Sequence, residues 1–107
     1  MAFTVYMLAS RRNGTLYIGH TDDLYRRMLE HRDHTFPGFT ARYDVVNLVW
    51  FEDHESRAAA FTRERRMKTW RRVWKLDLIE RLNPEWRDLF EEMEVKLDTA
   101  GSPLSRG

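Results

Sequence analysis

Cysteine is missing from this sequence of 107 residues, and so is any long apolar run. The lack of cysteine excludes disulfide bonds, thiolate metal sites and a cysteine nucleophile. No stretch approaches the roughly 20 apolar residues that a membrane-spanning helix needs, and the first residues lack the basic and apolar parts of a signal peptide. We therefore expect a soluble, cytoplasmic protein with a single domain over residues 1–93 and a disordered tail over residues 94–107.

Several familiar arrangements of reactive residues are also missing. The chain has no serine–histidine–aspartate pattern, no pair of histidines at zinc-binding spacing and no glycine-rich loop for phosphate. His20, His34 and His54 fit none of these patterns and are interpreted as surface histidines. Any active site must therefore be built from other combinations of residues.

The net charge of +1 argues, taken alone, against a nucleic-acid partner. Residues 55–87, however, carry ten basic and five acidic side chains, whereas residues 88–107 carry two and five. The basic block also contains Trp70, Trp74 and Trp86, a combination that suits contact with phosphates and bases. On charge alone, a solvated helix face whose arginine stems cover apolar surface is the simpler explanation.

Three strands are predicted. Residues 3–9 and 15–19 are rich in β-branched and aromatic side chains and flank Asn13-Gly14, the strongest short signal for a hairpin. Residues 45–51 form a near-continuous apolar run, which predicts a third strand that is central or well covered.

Four helical segments complete the expected order. Thr21 is predicted to cap a helix that ends near Arg32, and residues 33–44 are expected to form a loop. Asp53 or Ser56 is expected to open a long helix that ends near residue 69, and a further helix covers residues 73–82. Asn83 before a proline predicts a last helix over residues 84–93. The fold class is therefore α+β, with helices packed against the sheet.

Tyr6 and Tyr17 of the predicted hairpin share a face of the sheet if the loop has an even number of residues. A two-residue loop at Asn13-Gly14 leaves them four residues out of register, and a four-residue loop over residues 11–14 halves that offset. An odd loop would put them on opposite faces. Packing with a wet hydroxyl is the usual role of such tyrosines.

Arg27 and His31 lie four residues apart and therefore on one side of the first helix. Leu24 and Met28 mark the neighbouring apolar stripe, so the two polar residues are placed at its margin. Gly19 precedes this helix and permits a close approach of backbone or substrate. Taken alone, a surface arginine and histidine beside a core stripe is the simpler interpretation.

Glu64 is the most unusual residue, because it falls within the apolar stripe formed by Ala60, Phe61 and Met67. A buried carboxylate is unfavourable unless it is paired or bound to a metal. A salt bridge to an arginine such as Arg27 would satisfy it, and so would a metal ion. A single carboxylate with few other ligands suits Mg²⁺, which keeps most of its waters and accepts phosphate oxygens.

Together, two phenols, an arginine, a histidine and a carboxylate could hydrolyse a phosphodiester. That reaction needs a nucleophilic water, stabilisation of charge on the phosphate and relief of the leaving oxygen. The residues above could supply all three.

Val5-Tyr6, followed eleven residues after that tyrosine by Tyr17-Ile18-Gly19, resembles the paired motifs of the GIY-YIG nuclease superfamily. The first motif reads Thr-Val-Tyr in place of Gly-Ile-Tyr and keeps the tyrosine.

The residues after these motifs extend the resemblance. Leu24, Arg27 and His31 resemble the first helix of the family in type and spacing, and Glu64 resembles its metal-binding glutamate. Residues 68–86 are similar to its small, single-domain bacterial branch. The resemblance covers residues 3–89 and implies a three-stranded antiparallel sheet flanked by helices. The order β-β-α-β-α-α is read from the sequence itself and counts the elements up to residue 82, before the last predicted helix.

The resemblance also implies roles for individual residues. Tyr6 would be the general base, Tyr17 would position the water and the metal shell, and Arg27 would stabilise charge on the phosphate. His31 would hydrogen-bond the base or shuttle a proton, and Glu64 would hold one Mg²⁺ or Mn²⁺. Arg27 and the metal would lower the pKa of the base phenol.

Gly19, Tyr43, Arg65, Lys68 and Arg71 are the predicted substrate contacts. The implied substrate is DNA, with branched structures and repair intermediates as candidates. A recruiting protein partner is implied as well, because we expect no separate targeting domain. The competing interpretations are a non-catalytic nucleic-acid-binding module and, more weakly, a protein-interaction domain that uses exposed tryptophans.

Overall fold

The computed structural model describes residues 2–33, 38 and 42–96. Within these residues three strands and four helices follow one another along the chain. They are β1 (Phe3–Ala9), β2 (Leu16–Thr21), α1 (Leu24–Arg32), β3 (Asn47–His54), α2 (Arg57–Lys68), α3 (Arg72–Leu82) and α4 (Leu89–Lys96). The predicted α+β class, with a three-stranded antiparallel sheet flanked by helices, is confirmed.

The hairpin has the longer of the two even loops that the sequence allows. Ala9 pairs with Leu16, and the Ser10 amide donates to the Thr15 carbonyl at 3.0 Å, which leaves residues 11–14 as the loop. Asn13 takes a left-handed conformation with φ of 58°, as asparagine tolerates in turns. Tyr6 and Tyr17 are consequently offset by two residues on one face.

Strand β1 lies in the middle of the sheet, between β2 and β3. The apolar run of the third strand is therefore not a sign of a central position. Strand β3 starts at Asn47 rather than at residue 45. Its side chains are apolar because helices cover both faces of the sheet, so it is well covered although it lies at an edge.

Alternate residues of β1 supply two separate cores. Val5 and Met7 pack with Ala60 and Met67 of α2 and with Ile79 of α3. On the other face, Tyr6 and Leu8 pack with Met28 of α1 and with Leu89 and Phe90 of α4, so that residues 4–9 of β1 are buried. The two cores are thus separated only by the thickness of the sheet.

Two helix starts depart from the prediction. Thr21 ends β2, and α1 is capped instead by Asp23, whose side chain accepts a hydrogen bond from the Arg26 amide. Thr21 contributes one step earlier, because its hydroxyl accepts from the Asp23 amide. Ser56 caps α2 as predicted.

Asn83 ends α3 and does not start the last helix, which begins at Leu89. The buried Asn83 amide donates to the Val49 carbonyl at 3.3 Å and to the Arg87 carbonyl at 2.8 Å, and its oxygen accepts from the Arg87 amide. These tertiary bonds occupy the side chain that would otherwise cap a helix.

The last helix reaches Lys96, three residues into the predicted tail. The rest of the tail (residues 97–107), His34 and most of the predicted loop over residues 33–44 lie outside the described residues.

Candidate active site

Tyr6 projects from the central strand across its neighbour. Its side chain is 1% exposed, and it pairs directly with Gly19 of β2. A Cβ atom at position 19 would lie 2.7 Å from the Tyr6 hydroxyl and 2.9 Å from Cζ. The ring therefore occupies the space that any other residue at position 19 would fill, so the close approach predicted at Gly19 is made by the phenol.

Tyr17 and His31 complete an aromatic group around that phenol. The rings of Tyr6 and Tyr17 have centroids 6.3 Å apart, and His31 lies edge-on to both, at 5.8 and 5.5 Å. His31 Nε2 lies 3.0 Å from the Tyr6 hydroxyl, within hydrogen-bond distance. The sequence placed His31 at the margin of the apolar stripe of α1, but in the structure it is buried, whereas Tyr17 stays partly exposed.

Arg27 lies one turn before His31 on the same side of α1. Its guanidinium donates a hydrogen bond to the Tyr6 phenol, and this bond raises the pKa of Arg27 above its ordinary value. The same side chain also contacts Glu30, with Nη1 3.2 Å from Oε1. We call Tyr6, Tyr17, Arg27 and His31 the phenol cluster.

Burial controls the protonation of two members of this cluster, Tyr6 and His31. It raises the pKa of Tyr6 to about 12, despite the opposing hydrogen bond from Arg27. Burial, helped by the positive charge of Arg27, lowers the pKa of His31 to about 4. Arg27 lowers the pKa of Tyr6 as expected, but burial outweighs this effect in the protein without metal. At neutral pH a protonated phenol faces a neutral imidazole.

Glu64 lies on α2, beside the opposite face of β2. Its Oε1 is 2.5 Å from His20 Nδ1 and its Oε2 is 2.6 Å from Lys68 Nζ. The partners of this carboxylate are thus His20 and Lys68 rather than an arginine, and we call these three residues the carboxylate cluster. Burial alone would raise the pKa of Glu64, but the two hydrogen bonds outweigh it and hold the pKa below its ordinary value.

The two clusters meet at β2, because its side chains alternate. Tyr17 and Gly19 lie on the phenol side, and His20, between Gly19 and Thr21, points to the α2 side. The charge of Glu64 is close enough to contribute to the raised pKa of Tyr6. The five predicted catalytic and metal-binding residues therefore converge on this edge strand from both faces.

His20 is the functional candidate that sequence reasoning missed. It was interpreted as a surface histidine, yet its side chain is only 20% exposed and it bonds to the predicted metal ligand. The signal was present in the alternation, because a residue adjacent to Gly19 must face away from the tyrosines.

The predicted substrate contacts lie on several surfaces. Arg65 is exposed above the Phe61 ring at 5.5 Å, and Arg71 above the Trp74 ring at 5.6 Å. Tyr43 is 50% exposed in the segment before β3. Phe61, placed in the apolar stripe by the sequence, is also exposed. Arg65 and Arg71 therefore present their charges to solvent, as a phosphate contact requires.

The three tryptophans of the basic block differ in exposure. Trp74 is 52% exposed, Trp70 is partly buried and packs edge-on against it, and Trp86 is buried in the core. Only Trp74 of these three is therefore open enough to stack with a base.

A divalent metal fits this site through one residue. Within the described residues, no group of three or more histidine, cysteine, aspartate or glutamate side chains could hold a metal ion. Glu64 is ionised at neutral pH and lies across β2 from the phenol cluster, and Mg²⁺ needs only one or two carboxylates when phosphate and water complete its shell. The donor set fits Mg²⁺ provided that a partner of Glu64 moves away.

Comparison with known proteins identifies the family of this chain. The family model described as the GIY-YIG catalytic domain matches residues 2–77. The chain therefore belongs to the GIY-YIG family, a nuclease superfamily. Among the described residues, no helix is long and apolar enough to cross a membrane.

Particular relatives are small proteins of the UPF0213 group. One from Haloquadratum walsbyi is 38% identical over 66 residues, which cover 62% of this chain and 74% of that protein. One from Bacillus pumilus is 33% identical over 73 residues, covering 68% and 74%. The solution structure of a UPF0213 protein from Bacillus halodurans is similar with a TM-score of 0.52 and 25% identity, covering 82% of this chain and 93% of that one.

Proposed function

We propose that this protein is a divalent-metal-dependent endonuclease that hydrolyses DNA phosphodiester bonds. The observation that carries the proposal is the hydrogen bond between the Tyr6 phenol and His31, with Arg27 on the same hydroxyl and Glu64 across β2. Membership in a nuclease superfamily supports the same conclusion.

Tyr6 is the proposed general base, and His31 makes that role feasible. Arg27 can only donate to the phenol oxygen, so the phenolic hydrogen is free to be donated to His31 Nε2. As the attacking water passes a proton to the Tyr6 oxygen, the phenol passes its own proton to His31. The water oxygen then bonds to phosphorus, and the bond from phosphorus to the leaving oxygen breaks. The leaving oxygen takes a proton from solvent.

Substrate would help this transfer through Arg27. The positive charge of Arg27 is the second cause, after burial, of the low pKa of His31. A phosphate bound to Arg27 offsets that charge and makes His31 a better proton acceptor when DNA is present. Tyr17, partly exposed beside Tyr6, positions the water. Glu64 would hold Mg²⁺ or Mn²⁺, which supplies charge stabilisation at the phosphate and the leaving oxygen.

The basic helices provide the DNA surface in this proposal. Arg65, Lys68 and Arg71 are exposed near the end of α2 and the start of α3, where they can neutralise backbone phosphates. Trp74 adds an exposed ring on which an unstacked base can lie, which favours flapped, branched or single-stranded DNA over uniform duplex.

The test is cleavage of a panel of branched, flapped, single-stranded and duplex DNAs with Mg²⁺ or Mn²⁺. Tyr17→Phe and Glu64→Ala should each reduce cleavage by about 100-fold or more. Tyr25→Phe is the matched control, because the Tyr25 ring packs on Phe90, outside the phenol cluster. Cleavage that survives both Tyr17→Phe and Glu64→Ala would come from another site or a contaminant.

A non-catalytic nucleic-acid-binding module is the second candidate. It is favoured by one observation: both oxygens of Glu64 are already paired, as they would be in a domain that uses no metal. Binding of the DNA panel without cleavage at any metal concentration would support the module and reject the nuclease.

A further inference from the structure

We propose that Lys68 holds Glu64 in a closed ion pair in the free protein and moves to a phosphate when DNA binds. Divalent cation and DNA would then bind cooperatively, each favouring the other. This inference rests on the proposed nuclease function, because it describes how the same site is regulated.

The carboxylate of Glu64 has little room for an additional partner. His20 and Lys68 each occupy one of its oxygens, and the side chain is only 10% exposed. A divalent cation would have to bind these same oxygens, so it competes directly with the ammonium group of Lys68. In the closed state Lys68 supplies the positive charge that a cation would otherwise supply.

Lys68 is the partner that can leave. Its side chain is 51% exposed, against 20% for His20, and it is the last residue of α2. The flexible four-carbon stem lets the ammonium group swing into solvent without any change in the helix. An ammonium ion is also a good ligand for phosphate as a point charge.

The neighbours of Lys68 bring phosphate to it. Arg65 lies one turn earlier on α2, and Arg71 follows three residues later, both exposed. A DNA backbone held by these arginines places an anion within reach of Lys68, in competition with Glu64. Release of Glu64 then exposes a carboxylate next to bound phosphate, where Mg²⁺ can contact both.

Two states follow, and they make binding reciprocal. In one, Lys68 contacts Glu64; in the other, Lys68 contacts phosphate and Glu64 is free for the cation. If DNA strengthens cation binding by a given factor, the cation strengthens DNA binding by the same factor. Because Lys68 is half-exposed and solvent weakens its attraction to Glu64, we expect a factor of about fivefold.

The experiment measures Mn²⁺ binding by electron paramagnetic resonance, with and without a short DNA, in a Tyr17→Phe background that blocks cleavage. Binding that is lost in Glu64→Ala defines the relevant site. Lys68→Met should tighten Mn²⁺ binding about fivefold in the absence of DNA, and DNA should no longer tighten it further. Arg66→Met is the matched control: it removes the same charge from an exposed position on the same helix and should leave Mn²⁺ affinity unchanged without DNA.

Unchanged or weaker Mn²⁺ binding by Lys68→Met would overturn the inference, and so would an equal gain in Arg66→Met. Lys68→Gln, which keeps a hydrogen-bond donor but no charge, repeats the measurement if circular dichroism shows that the methionine variant is unfolded. If the unmodified chain cleaves DNA while Lys68→Met binds Mn²⁺ as before, the nuclease function stands and only this inference fails. If the unmodified chain cleaves nothing and Glu64→Ala loses no Mn²⁺ binding, the proposed function fails with it.

Discussion

On one face of the sheet Tyr6 and His31 are kept neutral by burial, whereas on the other face Glu64 is kept charged by pairing. Burial raises the pKa of Tyr6 to about 12 and lowers the pKa of His31 to about 4. Glu64 is buried as well, but His20 and Lys68 hold its pKa below the ordinary value. Successive residues of β2 serve the two clusters, so the same strand borders two different electrostatic environments.

This difference separates two tasks of the proposed reaction. Proton transfer needs groups that exchange neutral and charged forms, and burial keeps Tyr6 and His31 neutral until substrate arrives. Binding of a cation needs a permanent negative charge, which only a paired carboxylate can keep in a buried position. The two faces should therefore respond differently to substitution and to pH.

The largest effect on stability is expected from Gly19→Ala, because the backbone at Gly19 is in close contact with the ring of Tyr6. The new Cβ would lie 2.7 Å from the Tyr6 hydroxyl and must displace the ring. We expect the free energy of unfolding to fall by about 1–3 kcal/mol and cleavage to fall about 100-fold. Urea unfolding and the cleavage assay measure these changes. In a Tyr6→Ala background the same substitution should cost little, and an equal cost there would show that Tyr6 is not the residue displaced.

Glu64→Met tests the carboxylate cluster and should have a smaller effect on stability. The new side chain lies between Ala60 and Met67, and a buried ion pair replaced by an apolar residue is often neutral or stabilising. We expect cleavage to be lost while the free energy of unfolding stays the same or rises by up to about 1 kcal/mol.

His31→Leu is the counterpart on the other face and should lower the free energy of unfolding by about 1 kcal/mol, because the Tyr6 hydroxyl loses a partner. Equal destabilisation by both variants would contradict the comparison.

The pH dependence of stability should separate the two clusters most finely. His31 has a lowered pKa, so the unfolded chain binds its proton first and stability falls as pH drops from about 6.5 to about 4. Glu64 also has a lowered pKa, and its contribution is lost only below about 4.5, the ordinary value. Thermal unfolding between pH 7 and 3 should lose the upper part of this decline in His31→Gln and the lower part in Glu64→Gln. A decline above pH 5 that persists in His31→Gln would assign it to another group.

The fold was largely predictable because local signals agree with the tertiary arrangement. Asn13-Gly14 marked the hairpin through the left-handed conformation of Asn13, and Ser56 marked the start of α2 through its hydrogen bond from the Ala59 amide; both features involve only neighbouring residues. Asn83 misled the prediction because its side chain bonds to Val49, which is distant in the sequence, and to Arg87, which follows Trp86 in a left-handed conformation. The order of the strands was equally undetermined, since an apolar strand with helices on both faces has no signal of an edge.

The residue types and the periodicity of strand and helix indicated one group of side chains, and the structure places its members together: Tyr6, Tyr17, Arg27 and His31. Their protonation was not predictable, because a pKa depends on how deeply the group is buried. The sequence indicated an arginine near the phenol, but it did not show that helices cover Tyr6. For Glu64, the sequence predicted the need for a partner and left its identity open. Lys68 was one helical turn away and was assigned to the substrate instead.

Helix α4 covers the phenol face of the sheet, with Leu89 and Phe90 in the same core as Tyr6. This helix begins twelve residues beyond the stretch matched by the GIY-YIG catalytic domain, which ends at residue 77. The burial that sets the proton affinity of Tyr6 thus comes partly from a segment that the shared domain definition omits. A fragment cut at the family boundary would keep every candidate catalytic side chain and still lose part of the environment that tunes the proposed base.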